Sequence, residues 1–324
     1  MGLAMQFQRA GGPEVLEAFA LTPPSPGPGQ VLLRQTAVGL NFIDIYHRSG
    51  LYPVPLPAIP GLEAAGVVEA VGEGVGDVTP GMRVAYGRGP LGAYAEQRVI
   101  PAKECIPIPD AVSDEVAASA MLKGLTAWYL LHRTFPVAKG DTILVHAAAG
   151  GVGQLLVQWA TGLGARVIAT AGSKEKAAIA TALGASDVIL YREQEIAPRV
   201  KLLTHNRGVD VVYDAVGKTT FTGSLDSLKP LGMMVSYGQA SGPIPPMELS
   251  ELAKRGSLFL TRPNMMDYVR DDATYAQAAT LLLAKIADGT LKVDIGQRVP
   301  LRDAAKAHAA LEARGTTGST VLIP

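Results

Sequence analysis

One stretch constrains the fold of this chain more than any other: Val145-His146-Ala147-Ala148-Ala149-Gly150-Gly151-Val152-Gly153. It follows an apolar run at residues 142–145 and opens a helical segment at 154–163. A glycine-rich turn between a strand and a helix lets backbone N–H groups and the positive helix N-terminus hold a pyrophosphate. Read as G-x-G-x-x-G the turn is imperfect, with Ala148, Gly150 and Gly153 in the key positions. The contacts expected from it are Gly150, Gly151, Val152 and Gly153. The next strand, residues 166–171, should end in the Asp or Glu that an NAD site uses to bind ribose hydroxyls. It runs instead into Gly172, Ser173 and Lys174, with Lys176 close behind. Small and cationic groups suit a ribose carrying a 2′-phosphate, so the expected cofactor is NADPH, held by Gly172, Ser173 and Lys176. The alternative for Ser173 is the N-cap of the following helix, with the lysines solvated.

The turn sits inside a regular alternation. Six β-type runs, at residues 142–145, 166–171, 187–190, 210–214, 233–237 and 257–261, are separated by helical patterns. Such alternation implies right-handed crossovers and a doubly wound parallel sheet. The first 122 residues differ. They carry short β runs at 31–34, 65–71, 83–86 and 93–100, separated by Gly and Pro clusters, which predicts a β-rich domain. Ser113 reads as the N-cap of helical segments reaching about residue 135. Helices are expected at 275–287 and 303–313, and the β-like run 319–323 is expected to return to the first domain. The expected division is therefore 1–122, 123–262 and a returning segment, 263–324.

Composition narrows the partners. Lys and Arg balance Asp and Glu at 29 each, so no electrostatic footprint points to nucleic acid or an anionic membrane. The single cysteine, Cys105, rules out an internal disulfide or a multi-cysteine zinc site. No apolar run could span a bilayer and the first residues lack a secretory pattern, so the expected setting is the cytoplasm.

Several segments together resemble a known family. They are Asn41-Phe42-Ile43-Asp44, Arg48-Ser49-Gly50-Leu51-Tyr52, Leu122-Lys123-Gly124-Leu125-Thr126-Ala127, Val211-Val212-Tyr213-Asp214 and the glycine turn itself. Over essentially its whole length the chain is similar to the zinc-free, zeta-crystallin-like quinone oxidoreductases of the medium-chain dehydrogenase/reductase superfamily. That resemblance implies a GroES-like catalytic domain, a Rossmann domain and a cofactor in the cleft between them. The zinc branch of the superfamily places a cysteine where this chain has Asn41. It has a histidine where this chain has Leu62, within Gly61-Leu62-Glu63, and a second cysteine at or very near Lys123. A catalytic zinc needs thiolate and imidazole ligands. None is expected here.

A carbonyl acceptor then needs hydrogen-bond donors as negative charge builds on its oxygen. Asn41 and Lys123 are the expected catalytic donors, with Asn41 also touching the cofactor. In isolation they would read as a turn asparagine and a surface helix lysine. Tyr46 and Tyr52 are expected to line the acceptor pocket, although both could simply pack the domain. Thr126 and Tyr129 are expected near the nicotinamide ribose and the phosphates. Tyr191 and Arg314 are expected near the adenosine phosphate, by resemblance. Gly238, Ser241 and Arg262 complete the expected cofactor contacts. His146 reads as a buried strand residue and Cys105 as an inert thiol. The implied activity is NADPH-dependent quinone reduction by a homodimer joined through nucleotide-domain edge strands. An NADPH-dependent 2-alkenal or enone reductase is the nearest alternative. A non-enzymatic NADPH- or RNA-binding protein is the alternative of another class.

Overall fold

The computed structural model describes residues 2–324, and the chain divides into two units. The first consists of Met1–Leu125 together with Asp271–Pro324, and the second of Thr126–Arg270.

In the first unit a hairpin of β1 (Gly2–Gln6) and β2 (Glu17–Leu21) precedes the long strand β3 (Gln30–Leu40). Helix α1 (Phe42–Arg48) follows, then β4 (Glu63–Val71), β5 (Arg83–Tyr86), β6 (Gln97–Pro101) and β7 (Ile106–Pro107). Antiparallel pairing joins β3 to β4 and β6, and β4 to β5. Residues 93–96, expected as the start of a strand, make only an isolated bridge from Ala95 to Ala4, and the regular strand begins at Gln97. Helix α2 (Asp114–Tyr129) begins where Ser113 Oγ accepts the Val116 N–H at 3.3 Å, the N-cap read from the sequence.

The second unit alternates as expected. Strand β8 (Thr142–Val145), α3 (Gly151–Gly162), β9 (Arg166–Ala171), α4 (Lys174–Ala182), β10 (Asp187–Leu190) and α5 (Ile196–Leu203) come first. Strand β11 (Val209–Asp214), α6 (Phe221–Asp226), β12 (Leu228–Ser236), α7 (Ser250–Lys254), β13 (Phe259–Thr261) and α8 (Met265–Tyr268) complete it. All pairings are parallel, in the order β10-β9-β8-β11-β12-β13. This is the doubly wound order with its crevice at the β8 edge of the first half. The strands are apolar on both faces because helices cover both, and β11 is buried at every position.

The chain then returns to the first unit through α9 (Asp272–Ala287), β14 (Ile295–Pro300), α10 (Ala304–Glu312) and β15 (Ser319–Ile323). Strand β15 pairs antiparallel with β3, so the final strand closes onto the first unit's sheet as expected. The unit boundaries fall after Leu125 and Arg270. In the second unit Tyr129 stacks on Tyr268 of α8, with ring centroids 4.5 Å apart. Each unit has its own apolar core, one around Phe7, Leu33, Tyr86 and Tyr94, the other around Leu144, Ile168, Val212 and Met234. Among the described residues no helix is long and apolar enough to cross a membrane.

Candidate active site

In the first unit three sequence-distant groups meet on one carboxylate. Glu63 opens β4 and is fully buried. Its Oε1 accepts Asn41 Nδ2 at 2.7 Å and Lys123 Nζ at 2.6 Å, while Oε2 accepts the Leu122 N–H at 2.7 Å. Asn41 and Lys123 are 8% and 6% exposed, so both polar heads sit in a desolvated environment where their charge and dipoles act strongly. An ammonium has three N–H donors and a primary amide two. After the bonds to Glu63, Lys123 keeps two donors and Asn41 one, and a carbonyl oxygen needs two. Glu63 was quoted in the sequence only as a neighbour of the lost zinc-branch histidine. Nothing local marks it, because its partners lie 22 and 60 residues away.

Helix α1 fixes Asn41. The residue is the extended N-cap (φ −136°, ψ 157°), its N–H donates to Asp44 Oδ2 at 2.9 Å, and Asp44 N–H donates back to the Asn41 carbonyl at 3.1 Å. Asp44 is fully buried. Desolvation pushes its carboxyl up, the Asn41 N–H pulls it back, Glu63 raises it, and Tyr94 and Lys123 lower it, for a net pKa of about 7. Tyr46, on the same helix, meets Tyr52 edge-on at 5.2 Å and Phe42 at 6.2 Å. Tyr46 is buried and Tyr52 half-buried, so the two expected pocket tyrosines do form one aromatic cluster.

In the second unit the glycine turn opens α3. Gly150 is the N-cap of α3, extended at φ −84° and ψ 168° and offering no side-chain cap. The first helical bond runs from Gln154 N–H to the Gly150 carbonyl, so the N–H groups of Gly151, Val152 and Gly153 precede the intrahelical ladder. A Cβ at Gly153 would land against the Ala147 carbonyl oxygen. A Cβ at Gly172 would stand 2.5 Å from the Tyr191 hydroxyl, which brings Gly172 and Tyr191 together at the ends of β9 and β10. Ser173 is the N-cap of α4, accepting the Lys176 N–H at 3.3 Å, so the capping reading of this residue is realised. At the C-terminal ends of β12 and β13, across the sheet, Arg262 Nη1 donates to the Ser236 carbonyl at 2.7 Å, while the buried Ser236 hydroxyl has no partner. The bare helix N-terminus, the glycine positions with no room for a Cβ and this orphaned hydroxyl together fit a dinucleotide.

Other expected contacts have structural tasks. Ser241 Oγ donates to the Val216 carbonyl at 2.7 Å and accepts the Thr219 N–H at 3.0 Å, tying two loops together. Gly238 packs against Ala215, where a Cβ would stand 2.5 Å from the carbonyl oxygen. Thr126 Oγ1 lies 3.9 Å from Met265 Sδ, and Tyr129 is buried against Tyr268 with its phenol pushed up by desolvation. Arg314 follows α10 in the first unit, in the left-handed region at φ 56°. His146 is fully buried between Thr170 Oγ1 at 3.1 Å and Ser224 Oγ at 2.9 Å, and burial lowers its pKa, which leaves it a neutral structural residue. Burial pushes the Cys105 thiol up to about 12, far from a reactive thiolate.

The pattern of the alcohol dehydrogenase GroES-like domain matches residues 27–110, and that of the zinc-binding dehydrogenases matches residues 151–283. A quinone oxidoreductase of Pseudomonas aeruginosa is 48% identical over the full length of both chains. The chain belongs to the quinone oxidoreductase family of the medium-chain dehydrogenase/reductases. The crystal structure of the Escherichia coli quinone oxidoreductase complexed with NADPH is 45% identical, covers 99% of this chain and all of that one, and has a TM-score of 0.97. A 2-haloacrylate reductase of Burkholderia is 46% identical, over 100% of this chain and 99% of that protein. One of the matching patterns is named for zinc, and the positions that the resemblance compares with zinc ligands hold Asn41, Leu62 and Lys123. Among the described residues no group of three or more His, Cys, Asp or Glu side chains could hold a metal ion. The Lys123 ammonium on Glu63 suits an anionic or carbonyl oxygen and does not fit a cationic metal.

Proposed function

We propose that the chain is an NADPH-dependent quinone oxidoreductase that works without zinc in the cytoplasm. The observation that carries the reading is the convergence of Asn41 and Lys123 on the buried Glu63. Bound NADPH supplies a hydride. The Lys123 ammonium and the Asn41 amide donate hydrogen bonds to the acceptor carbonyl and stabilise the charge that grows on its oxygen. Glu63 holds both donors so that they need not reorganise during the reaction. Tyr46 and Tyr52 offer aromatic faces to a flat quinone.

On the cofactor side, Gly150, Gly151, Val152 and Gly153 cradle the pyrophosphate, and Lys176, with Gly172, Ser173 and Tyr191, receives the 2′-phosphate. Thr126, Tyr129, Gly238, Ser241, Arg262 and Arg314 complete the contacts. Self-association through β13 is part of the proposal. That strand ends the sheet, and its Phe259 and Leu260 are 56% and 40% exposed, an apolar edge suited to a second copy of itself. Sedimentation of a Phe259→Asp variant should show monomers; an unchanged dimer would refute this interface.

The test of the activity is NADPH oxidation with 1,4-benzoquinone and with a medium-chain 2-alkenal. Turnover of the quinone supports the proposal, and turnover of the alkenal alone overturns the choice of acceptor. The kinship with a 2-haloacrylate reductase favours the conjugated-alkene substrate as the second reading.

A further inference from the structure

Arg48, in the Arg48-Ser49-Gly50-Leu51-Tyr52 segment, is buried to 1% exposure, and the reaction described above gives it no task. Its Nη2 pairs with Glu312 of α10 at 2.6 Å and its Nη1 lies 3.3 Å from His308 Nδ1. A guanidinium carries only donors, so Nδ1 of His308 must accept. Burial lowers the His308 pKa to about 3, so the ring is neutral and its one proton sits on Nε2. Nε2–H therefore donates to Tyr94 Oη, 2.9 Å away, and the Tyr94 hydroxyl donates onward to Asp44 Oδ2 at 3.2 Å. The Asn41 N–H reaches the same oxygen. Every bond in the chain points one way, from Arg48 to Asp44. It cannot conduct protons inward, because its outer end is a guanidinium that does not give a proton up.

We propose that Arg48, His308 and Tyr94 are positioning residues that present Asp44 with a fixed donor, keep its carboxylate on the Asn41 N–H and so hold Asn41 in its donor pose. This rests on the reading of Asn41 as a donor to the acceptor carbonyl. The groups facing Asp44 from its neighbours are Tyr94, Glu63 of β4 and Lys123 of α2, with Asn41 at the N-cap of its own helix. Of these only Tyr94 is oriented by the chain. With the Asp44 carboxyl near 7, its ionised form is sensitive to loss of that one hydrogen bond.

The experiment compares Tyr94→Phe, His308→Leu and His308→Gln, each first shown to bind NADPH like the parent as proof of folding. Loss of the Tyr94 donor should move the acid limb of the kcat/KM profile for benzoquinone up by about one pH unit, with about a tenfold loss below the limb and little change above it. His308→Leu should do the same, because nothing then directs the Tyr94 hydroxyl. His308→Gln keeps an N–H at the Nε2 position and should restore the parent limb. The Asp44 carboxyl is followed in parallel by 13C NMR, assigned by its loss in Asp44→Asn. A carboxyl titration that moves while the kinetic limb stays still overturns the positioning role, as does a limb identical in all three variants. Should Asn41→Ala reduce quinone at the parent rate, the reading of the site itself fails, and the proposal fails with it.

Discussion

The proposed acceptor residues and the proposed cofactor residues are built from different materials. The proposed acceptor residues, in the first unit, are buried side chains: one carboxylate, one ammonium, one amide and a second carboxyl near neutrality, linked by hydrogen bonds. The cofactor side, in the second unit, is mostly backbone, a bare helix N-terminus and glycines with no room for a Cβ. Backbone donors carry no titratable charge, and short of a proline substitution they can only be obstructed. Side-chain donors hold net charge in a low-dielectric place, so each depends on its partner. The first half should therefore be sensitive to pH and to loss of any one group. The second should be sensitive to bulk and nearly indifferent to pH.

The largest test of that contrast is Glu63→Gln. It leaves the Lys123 ammonium buried opposite a neutral amide, and breaking a buried pair in this way costs about 3–5 kcal/mol. Denaturant unfolding should show that loss, and quinone turnover should collapse while NADPH binding survives. Stability within about 1 kcal/mol of the parent would mean that the triad is not a coupled unit.

Next in size is the pH dependence of folding. Asp44 is raised from 3.8 to about 7 in the folded state. A raised carboxyl binds its proton more tightly folded than unfolded, so its contribution is fully present below pH about 4. It is lost as the pH climbs through about 7. Asp44→Asn should remove a fall in stability on the order of a few kcal/mol across that window. An equally steep slope in the variant would assign the titration to another group.

On the cofactor side, Lys176→Ala should weaken NADPH by about 1.5–3 kcal/mol, the worth of a hydrogen bond to a charged group, and leave NADH nearly unchanged. Equal losses for both nucleotides, read by fluorescence titration, would remove Lys176 from the phosphate. The smallest expected effect is Gly153→Ala, whose Cβ meets the Ala147 carbonyl and costs about 1–3 kcal/mol in fold and cofactor binding together. Its loss should be the same at pH 6 and pH 9. A strong pH dependence would contradict the backbone character of this half.

The same difference in material decided what could be read in advance. The cofactor half was legible because a dinucleotide cradle is local: strand, glycine turn and helix lie within some twenty residues, and β9 ends only a little further on. Even there, the loop-tying task of Ser241 emerged only with the fold. A hydroxyl's neighbours are not written beside it. In the other half, Asn41 and Lys123 were singled out through resemblance, and Glu63 was passed over. A glutamate at the start of a β run looks like any surface residue until a helix 60 positions later lays a lysine on it. Arg48 and His308, 260 residues apart, were invisible as partners for the same reason.

By itself the sequence determined the alternation that makes the parallel sheet, the glycine turn that opens α3, and the side chains Asn41, Leu62 and Lys123 at the three positions that the resemblance compares with zinc ligands. Those depend on periodicity, on glycine and on the kinds of side chain present, which are properties of short segments. Only the tertiary structure decided which buried charges face each other. Burial is set by the whole fold, and burial is what turns an ordinary Glu, Lys, Asn and Asp into a pre-organised donor site.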